Sequence, residues 1–268
     1  MELIIQRAFL AALILGPLAG LVGVFVTARR LAFFSDTIAH AALAGIALGF
    51  AFGFRDPTLP MLLFSLAVAA TIFWLKERTE LLSDTIMALL LSGSVALGMV
   101  IFSQLKGRRN ELEQYLFGDI LSVGWSDIGV AAGLAVAVGA TLLVFFNRLV
   151  LLTVSEDLAH VAGVGVQRLN LIFILLLTST VSLAIRLLGI ILVTSLIVIP
   201  PSIARNLSVS LKQQLLFSIL AGLVGGVGGF AISCAFNVPS GPTITLTLIA
   251  LFIVSFGMSR VRARRISA

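Results

Sequence analysis

An acid and an imidazole stand four residues apart inside an apolar stretch of this 268-residue chain. The segment "ARRLAFFSDTIAH" runs from a pair of arginines into residues that include Asp36 and His40. Residues four apart share one face of a helix, so the two side chains would project together. One carboxylate and one imidazole suit a divalent ion such as zinc, manganese or iron. The same face carries no Cys or Met, which argues against copper(I).

Two ordinary roles also fit this pair. "SDT" is favourable at the start of a helix, with Ser35 as the N-cap and Asp36 next to the positive end of the helix dipole. His40 could be an interior histidine that is hydrogen-bonded to a neighbouring helix. The residue types alone leave metal binding and these structural roles open.

A second copy of the motif indicates that its aspartate, Asp84, and Asp36 of the first copy have different roles. Residues 83–93 read "SDTIMALLLSG", and Ala88 stands where the first copy has His40. Asp84 follows the charged segment "KERTELLS", which is expected at a membrane interface. Helix capping is therefore the favoured interpretation of Asp84, with metal contact as the alternative.

Composition places both copies in a membrane protein. The chain is 59% hydrophobic and 11% charged, and its mean hydropathy is +1.15. Soluble domains carry about 25% charged residues, and a helix crosses a bilayer with about 20 apolar residues. The fold class is therefore an all-α, polytopic transmembrane bundle, expected as a single domain over residues 1–268. The predicted spans are 4–27, 31–54, 57–75, 84–104, 127–147, 169–186, 188–204, 212–236 and 242–259.

The seventh predicted span, 188–204, carries an alternative. Pro200 and Pro201 interrupt it, so eight spans result if this segment only dips into the membrane. In the eighth predicted span, the stretch "GLVGGVGGF" at 222–230 has small residues at four-residue spacing, which predicts close helix packing. The single Cys234 excludes an intrachain disulfide and a cysteine metal cluster.

Basic residues at the ends of the spans predict the orientation of the chain. The pI of about 10.7 does not indicate nucleic-acid binding, because the basic residues are scattered between apolar runs. An N-terminus outside and a C-terminus inside puts 12 of the 18 Lys and Arg residues on the cytoplasmic side, as the positive-inside rule favours. The cluster "KGRRNE" at 106–111 fits this arrangement badly.

In this arrangement Asp36 and His40 lie inside the second span. If that helix starts near Leu31, Asp36 is roughly 8 Å and His40 roughly 14 Å along it. An ionised Asp at a helix centre costs about 2.5–3.5 kcal/mol even on the lenient insertion scale, so such residues are usually functional.

Several motifs in order resemble one protein family. "RRLAFFSDTIAHAALAGIALG" resembles the second-helix signature of permeases from the zinc/manganese/iron class of ATP-binding-cassette importers. The likeness continues through "YLFGDIL" at 115–121, "SEDLAHVAGV" at 155–164, "GIILVTSLIVIPPSIAR" at 189–205 and "VPSGPTI" at 238–244. The resemblance implies a type II importer-like permease in which Asp36 and His40 contact the transported metal. Where the family usually has Pro-Ala-Ala, this chain has Pro-Pro-Ser at 200–202, which bears on local helix geometry.

The segment after the fifth span predicts a short cytoplasmic helix. Ser155 or Glu156 is a suitable start, acidic residues occupy the first turn, and Gly163 is a suitable stop. Ala159 and Gly163 are small and four apart, which gives a face that another protein could approach. An ordinary surface helix has the same pattern. The resemblance implies instead a coupling helix near 155–164 that docks into an ATPase through Glu156, Asp157, Ala159 and Gly163; His160, in the same segment, is not expected to be a metal ligand.

Two function classes follow. No G-x-x-x-x-G-K-[ST] motif occurs, so the chain is not expected to be an enzyme or to hydrolyse ATP.

The resemblance implies a multi-pass permease in the cytoplasmic (inner) membrane of a prokaryote, without a permanently bound cofactor. Its partners would be an ATPase subunit, an extracytoplasmic metal-binding protein, a second permease copy and the lipid bilayer, with no nucleic acid. The alternative is a stand-alone secondary transporter or channel for divalent cations, in which buried Asp and His relay ions or protons. Asp119 is expected to cap a turn.

Overall fold

The computed structural model is helical and describes residues 2–105, 115–116, 118 and 123–266. Its helices, numbered along the chain, are α1 (Glu2–Ala28), α2 (Ala32–Ala51), α3 (Thr58–Arg78), α4 (Ser83–Gln104), α5 (Trp125–Val154), α6 (Glu156–Val161), α7 (Val166–Leu188), α8 (Ile190–Leu207), α9 (Leu211–Phe236) and α10 (Ser240–Ile266). Within the described residues, all but α6 are long and apolar enough to cross a membrane, which makes nine candidate spans. The predicted all-α bundle of membrane helices is confirmed.

The prolines do not divide the seventh span. Pro200 and Pro201 lie inside α8, which is helical from Ile190 to Leu207 and qualifies as a span. Proline has no N–H, so Pro201 leaves the carbonyl of Ile197 without its helical donor. Gly23 of α1 lies directly against that carbonyl, where a Cβ would collide with it. Helix α1 therefore covers the Ile197 carbonyl, which lacks its helical donor.

Two helices are longer than predicted. Helix α5 continues from the predicted end at 147 to Val154, and α10 continues past 259 to Ile266. Arg148 and the basic residues after 259 indicated span ends, but arginine is a good helix former and does not end a helix. The connection between α5 and α6 is consequently the single residue Ser155.

The chain divides into two compact units. Unit 1 comprises Met1–Arg30, Phe117–Val136 and Leu187–Ala268, and unit 2 comprises Leu31–Leu116 and Ala137–Arg186. The single domain expected from the sequence stays a prediction.

In unit 1, α1 and α9 pack through small residues in an antiparallel register. A Cβ added to Gly16 would lie 2.5 Å from the Gly222 carbonyl oxygen, and one added to Gly20 would lie 2.5 Å from that of Ser218. The Ser218 hydroxyl donates a hydrogen bond to the Gly20 carbonyl over 2.7 Å. The close packing predicted for the 222–230 segment is therefore present, because only glycine lets these backbones meet.

In unit 2, α2 lies between α3 and α4. Gly45 approaches the backbone of Met61 in α3, while the Thr37 hydroxyl of α2 donates to the Met87 carbonyl of α4 over 3.3 Å. Of all nine candidate spans, α2 has the largest buried share, 78% of its 18-residue apolar window. The helix that carries Asp36 and His40 is thus an interior helix of its unit.

Candidate metal site

Helix α2 leaves one narrow stripe of side chains open. Between Phe34 and Phe50, only Asp36, His40 and Leu48 are not buried in the part of the chain that the structure describes. Asp36 and His40 are four residues apart and share one face of the helix, whereas Leu48 lies about 80° further round it. The open stripe therefore consists of Asp36 and His40. The exposed fractions are 40% for the Asp36 side chain and 29% for that of His40. The shared face predicted from the spacing is present, and it is the face that the rest of the unit does not cover.

The two side chains are close enough to share an ion. His40 Nε2 and Asp36 Oδ1 are 3.9 Å apart, which is too long for a hydrogen bond. Two ligands that hold a tetrahedral zinc ion at about 2.1 Å lie about 3.4 Å from each other. A small rotation of either side chain closes that difference, so the pair can contact one cation together.

The pair could supply only part of a coordination shell. Among the described residues, no three His, Cys, Asp or Glu side chains come together as a metal cluster. His40 Nδ1 is buried and has no hydrogen-bond partner within the described ranges, so Nε2 is the nitrogen directed at Asp36. Two protein ligands bind an ion less tightly than the four of a closed structural zinc site, which suits release.

The helix-start role suggested for Ser35 and Asp36 is wrong. Helix α2 begins at Ala32, its N-cap position is Leu31, and its first turn holds no acidic residue. Ser35 lies inside the helix and is fully buried. Asp36 therefore does not interact with the helix start, because the apolar residues that precede "SDT" are themselves helical.

The second copy of the motif lies at a different position relative to the start of its helix. Helix α4 begins at Ser83, so Asp84 lies in its first turn, and the residue is exposed. The N-cap position is Leu82 and has no side-chain capping bond. Asp84 thus complements the helix dipole but does not cap the helix by a hydrogen bond, and it joins no three-residue cluster with Asp36 and His40 among the described residues.

The short helix α6 has the predicted start and stop. The Ser155 hydroxyl accepts a hydrogen bond from the Leu158 N–H over 3.3 Å, and Glu156 and Asp157 occupy the first turn. Gly163 follows with a φ of +72°, a conformation that favours glycine. Local capping and turn chemistry therefore define this helix.

The exposed surface of α6 differs from the predicted one. Ala159 is fully buried, so it anchors the helix and does not form an approachable small-residue face with Gly163. Leu158 and Val161 are 55% and 88% exposed. An apolar surface flanked by the acidic first turn takes the place of the expected small-residue face.

A polar network that the sequence interpretation missed joins two separate segments of unit 2. Arg186, near the end of α7, donates to Asp56 Oδ2 over 3.0 Å and to the Thr58 hydroxyl over 2.8 Å. The Thr58 N–H donates to Asp56 Oδ1 over 2.9 Å. Burial alone would raise the pKa of Asp56, but the hydrogen bonds from Thr58 and the charge of Arg186 outweigh it, so the pKa lies below the ordinary value of 3.8.

Part of this network could have been read from the sequence. Asp two residues before Thr in "RDPT" is typical of an Asx turn, in which the carboxylate accepts a backbone N–H. The pairing with Arg186 spans 130 residues and has no local signal. It places the α2–α3 loop beside the end of α7. Asp119 and the 106–111 cluster lie outside the described residues.

A bundle of nine candidate spans, with an acid and an imidazole on the open stripe of its most buried helix, defines a polytopic membrane transport protein. The sequence model described as "ABC 3 transport family" matches residues 1–259. The chain belongs to the ABC 3 transport family, and the membership expected from its motifs is confirmed.

Relatives and a solved structure agree with this assignment. The chain is 30% identical to the high-affinity zinc uptake system membrane protein ZnuB of Haemophilus influenzae, over 94% of this chain and 96% of the relative. It is 32% identical to the manganese import system permease protein ScaB of Streptococcus gordonii, over 94% and 90%. The structure of PsaBC from Streptococcus pneumoniae in complex with Fab superposes with a TM-score of 0.83 at 31% identity, covering 94% of this chain and 90% of that chain.

Proposed function

We propose that this chain is the permease subunit of an ATP-binding-cassette importer for divalent transition-metal ions. The names of its relatives ZnuB and ScaB specify zinc and manganese, respectively. Iron(II) fits the same ligands. The protein would work in the cytoplasmic membrane of a bacterium. The observation that supports this function best is the Asp36–His40 pair on the open stripe of a buried span, with 3.9 Å between its donor atoms.

Asp36 and His40 would form a transient contact for the ion as it crosses. The carboxylate offsets part of the cation's charge, and the imidazole must be neutral to coordinate it. Water or a second permease copy would fill the remaining coordination positions. An incomplete site suits transport, because the ion must leave as readily as it enters.

Three partners complete the proposed importer. A separate ATPase would dock on α6, where Leu158 and Val161 offer apolar contacts beside the carboxylates of Glu156 and Asp157. An extracytoplasmic binding protein would deliver the ion, and two permease copies would form the central path. ATPase closure would then reach the membrane helices through Ser155, which connects α6 directly to α5.

The test is metal uptake by cells in which Asp36→Ala or His40→Ala replaces the native protein, with zinc, manganese and iron measured separately. We expect both variants to lose at least about tenfold in uptake of the cargo metal, since the loss of even an outer-shell partner of a metal ligand typically costs 10- to 100-fold. Leu48→Ala is the matched control, because Leu48 is likewise a partly exposed residue of α2 but offers no ligand atom. Asp84→Asn is expected to retain uptake.

Membrane abundance of every variant is measured in the same cells by immunoblot. Normal uptake of all three metals by abundant Asp36→Ala and His40→Ala proteins would overturn the proposed site. Uptake that persists when the ATPase partner is inactivated would favour a stand-alone transporter instead. Loss of uptake in Asp84→Asn would add that carboxylate to the ion path.

A further inference from the structure

The connection between α2 and α3 is an exposed loop of unit 2 with an unusual composition. Every residue at 51–56 is exposed. Phe52 is 77% exposed and Phe54 is 46% exposed, and Arg55 follows them directly. Aromatic residues and arginine are enriched in the buried centres of protein interfaces. Two phenylalanines and an arginine thus lie on the surface within four residues of chain.

The first half of this loop has a fixed backbone. The Phe54 N–H donates to the Gly49 carbonyl over 3.0 Å, and the Gly53 N–H donates to the Phe50 carbonyl over 3.1 Å. Gly53 has a φ of +80°. These bonds and the left-handed glycine form a Schellman motif, which ends a helix in one defined conformation. The exposed phenylalanines are therefore held in place by the end of α2.

The second half of the loop is held by ionic and hydrogen-bonding contacts. The Thr58 N–H donates to Asp56 Oδ1 over 2.9 Å, and Arg186 Nη1 lies 3.0 Å from Asp56 Oδ2. This ion pair is partly exposed, and charges are costly in hydrocarbon, so we place the loop at the aqueous face of the membrane. A contiguous apolar patch exposed to water typically marks an interaction site. A loop that is already fixed also loses little conformational entropy when a partner binds.

The loop continues from the helix that carries the proposed ion contact. Helix α2 ends at Ala51, eleven residues after His40, which corresponds to about 17 Å along the axis. The predicted orientation places this end of α2 outside the cytoplasm. A partner bound to the loop would therefore sit at the outer end of the helix that contacts the ion.

We propose that the α2–α3 loop is the docking surface for the extracytoplasmic metal-binding protein, an inference that rests on the proposed function. Phe52 and Phe54 would enter an apolar depression on that protein, and Arg55 would pair with a carboxylate at its edge. Because Arg186 already neutralises Asp56, the loop together with Arg186 carries one net positive charge. The complementary surface is accordingly apolar with an acidic rim.

The affinity test uses the purified full chain in lipid nanodiscs and the purified metal-binding protein of the same bacterium, with binding measured by biolayer interferometry. We expect Phe52→Ala/Phe54→Ala and Arg55→Glu each to weaken binding about tenfold or more, as truncation of central interface residues does. The native affinity should fall as the salt concentration rises from about 0.05 M to about 0.5 M, and that of Arg55→Gln should fall less.

Phe236→Ala and Arg7→Glu are the matched controls. Phe236 is 74% exposed at the end of α9, and both residues are predicted on the outer side of the membrane, so both variants should bind like the native chain. Equal losses in these controls, or native affinity in the two loop variants, would overturn the docking surface alone. A native chain that does not bind the metal-binding protein would overturn the proposed importer as well, which distinguishes the two failures.

A fluorescent label next to the patch distinguishes the possible occupants. Ala51 is exposed and precedes Phe52, so Ala51→Cys in a Cys234→Ser background accepts a polarity-sensitive dye at one position. Its emission should shift to the blue only when the metal-binding protein is added to the nanodiscs. Emission that is already blue-shifted before the addition would place the loop in the membrane. A shift that depends only on the concentration of the labelled chain would indicate a second copy, and either result would overturn the proposal.

Discussion

At the residue scale, the two "SDT" segments show how the start of a helix changes the role of an acid. Asp84 occupies the first turn of α4 and is exposed, where the helix dipole and water both stabilise its charge. Asp36 lies in the second turn of a helix that begins at Ala32, and its nearest identified charged or titratable neighbour is His40. The same three letters therefore give a dipole-stabilised surface carboxylate in one case and a candidate ion contact in the other.

The Asp56 carboxylate gives a pH prediction at the same scale. Because its pKa is lowered in the folded protein, its stabilising effect is fully present above the ordinary pKa of 3.8 and is lost as the pH falls through the lower folded value. We expect Asp56→Asn to lower the unfolding temperature at pH 7. The difference from the native protein should shrink as the pH falls below 3.8, and thermal unfolding in detergent measures it.

Arg55→Gln is the control for this experiment. It removes a charge adjacent in sequence to Asp56 but leaves the bonds among Asp56, Thr58 and Arg186 in place. A difference between native protein and Asp56→Asn that stays constant between pH 7 and pH 3 would show that the ionised carboxylate does not stabilise the fold.

At the element scale, helix α6 depends on the turn that ends it. Gly163 has a φ of +72° and no neighbouring atom near an added Cβ, so its requirement is conformational and not steric. An L-residue in this region costs roughly 1–2 kcal/mol. We expect Gly163→Ala to shift the exit of α6 and to reduce co-purification of the ATPase partner and metal uptake together.

Gly165→Ala is a close match for this variant. Residue 165 is two positions away, has the same open surroundings and lacks the positive φ, so an alanine there should leave both measurements unchanged. If the two variants behave alike with the protein abundant in the membrane, the turn at Gly163 does not position a docking helix.

At the scale of the whole molecule, nine spans with the N-terminus outside give a sharp labelling pattern. The loop of Val209 should face the cytoplasm and that of Val238 the outside. In a Cys234→Ser background, an impermeant maleimide should therefore label Val238→Cys in intact cells and leave Val209→Cys unlabelled until the cells are opened. Both valines lie between helices and are exposed.

The reverse pattern would contradict the nine-span arrangement. If α8 did not cross the bilayer, the connections on either side of α9 would exchange sides, and Val209→Cys would be the labelled variant. The experiment thus tests the path of α8 through Pro200 and Pro201 in the membrane.

Much of this architecture follows from sequence alone. Hydropathy over about 20 residues located all nine spans, because the requirement for an apolar helix of bilayer length acts on each segment independently. Ser155 and Gly163 defined α6 because capping and positive φ are also local properties. The four-residue spacing of Asp36 and His40 fixed their common face as soon as the segment was helical.

Only the tertiary structure decided which surfaces those elements expose. The open stripe of α2 exists because α3 and α4 cover its other faces, and the short segment around Ala159 did not show that this residue is fully buried. The ion pair of Asp56 with Arg186 joins residues 130 positions apart. Local signals describe a segment and its ends, whereas burial and long-range pairing depend on which other segments pack against it, and no short stretch of sequence contains that information.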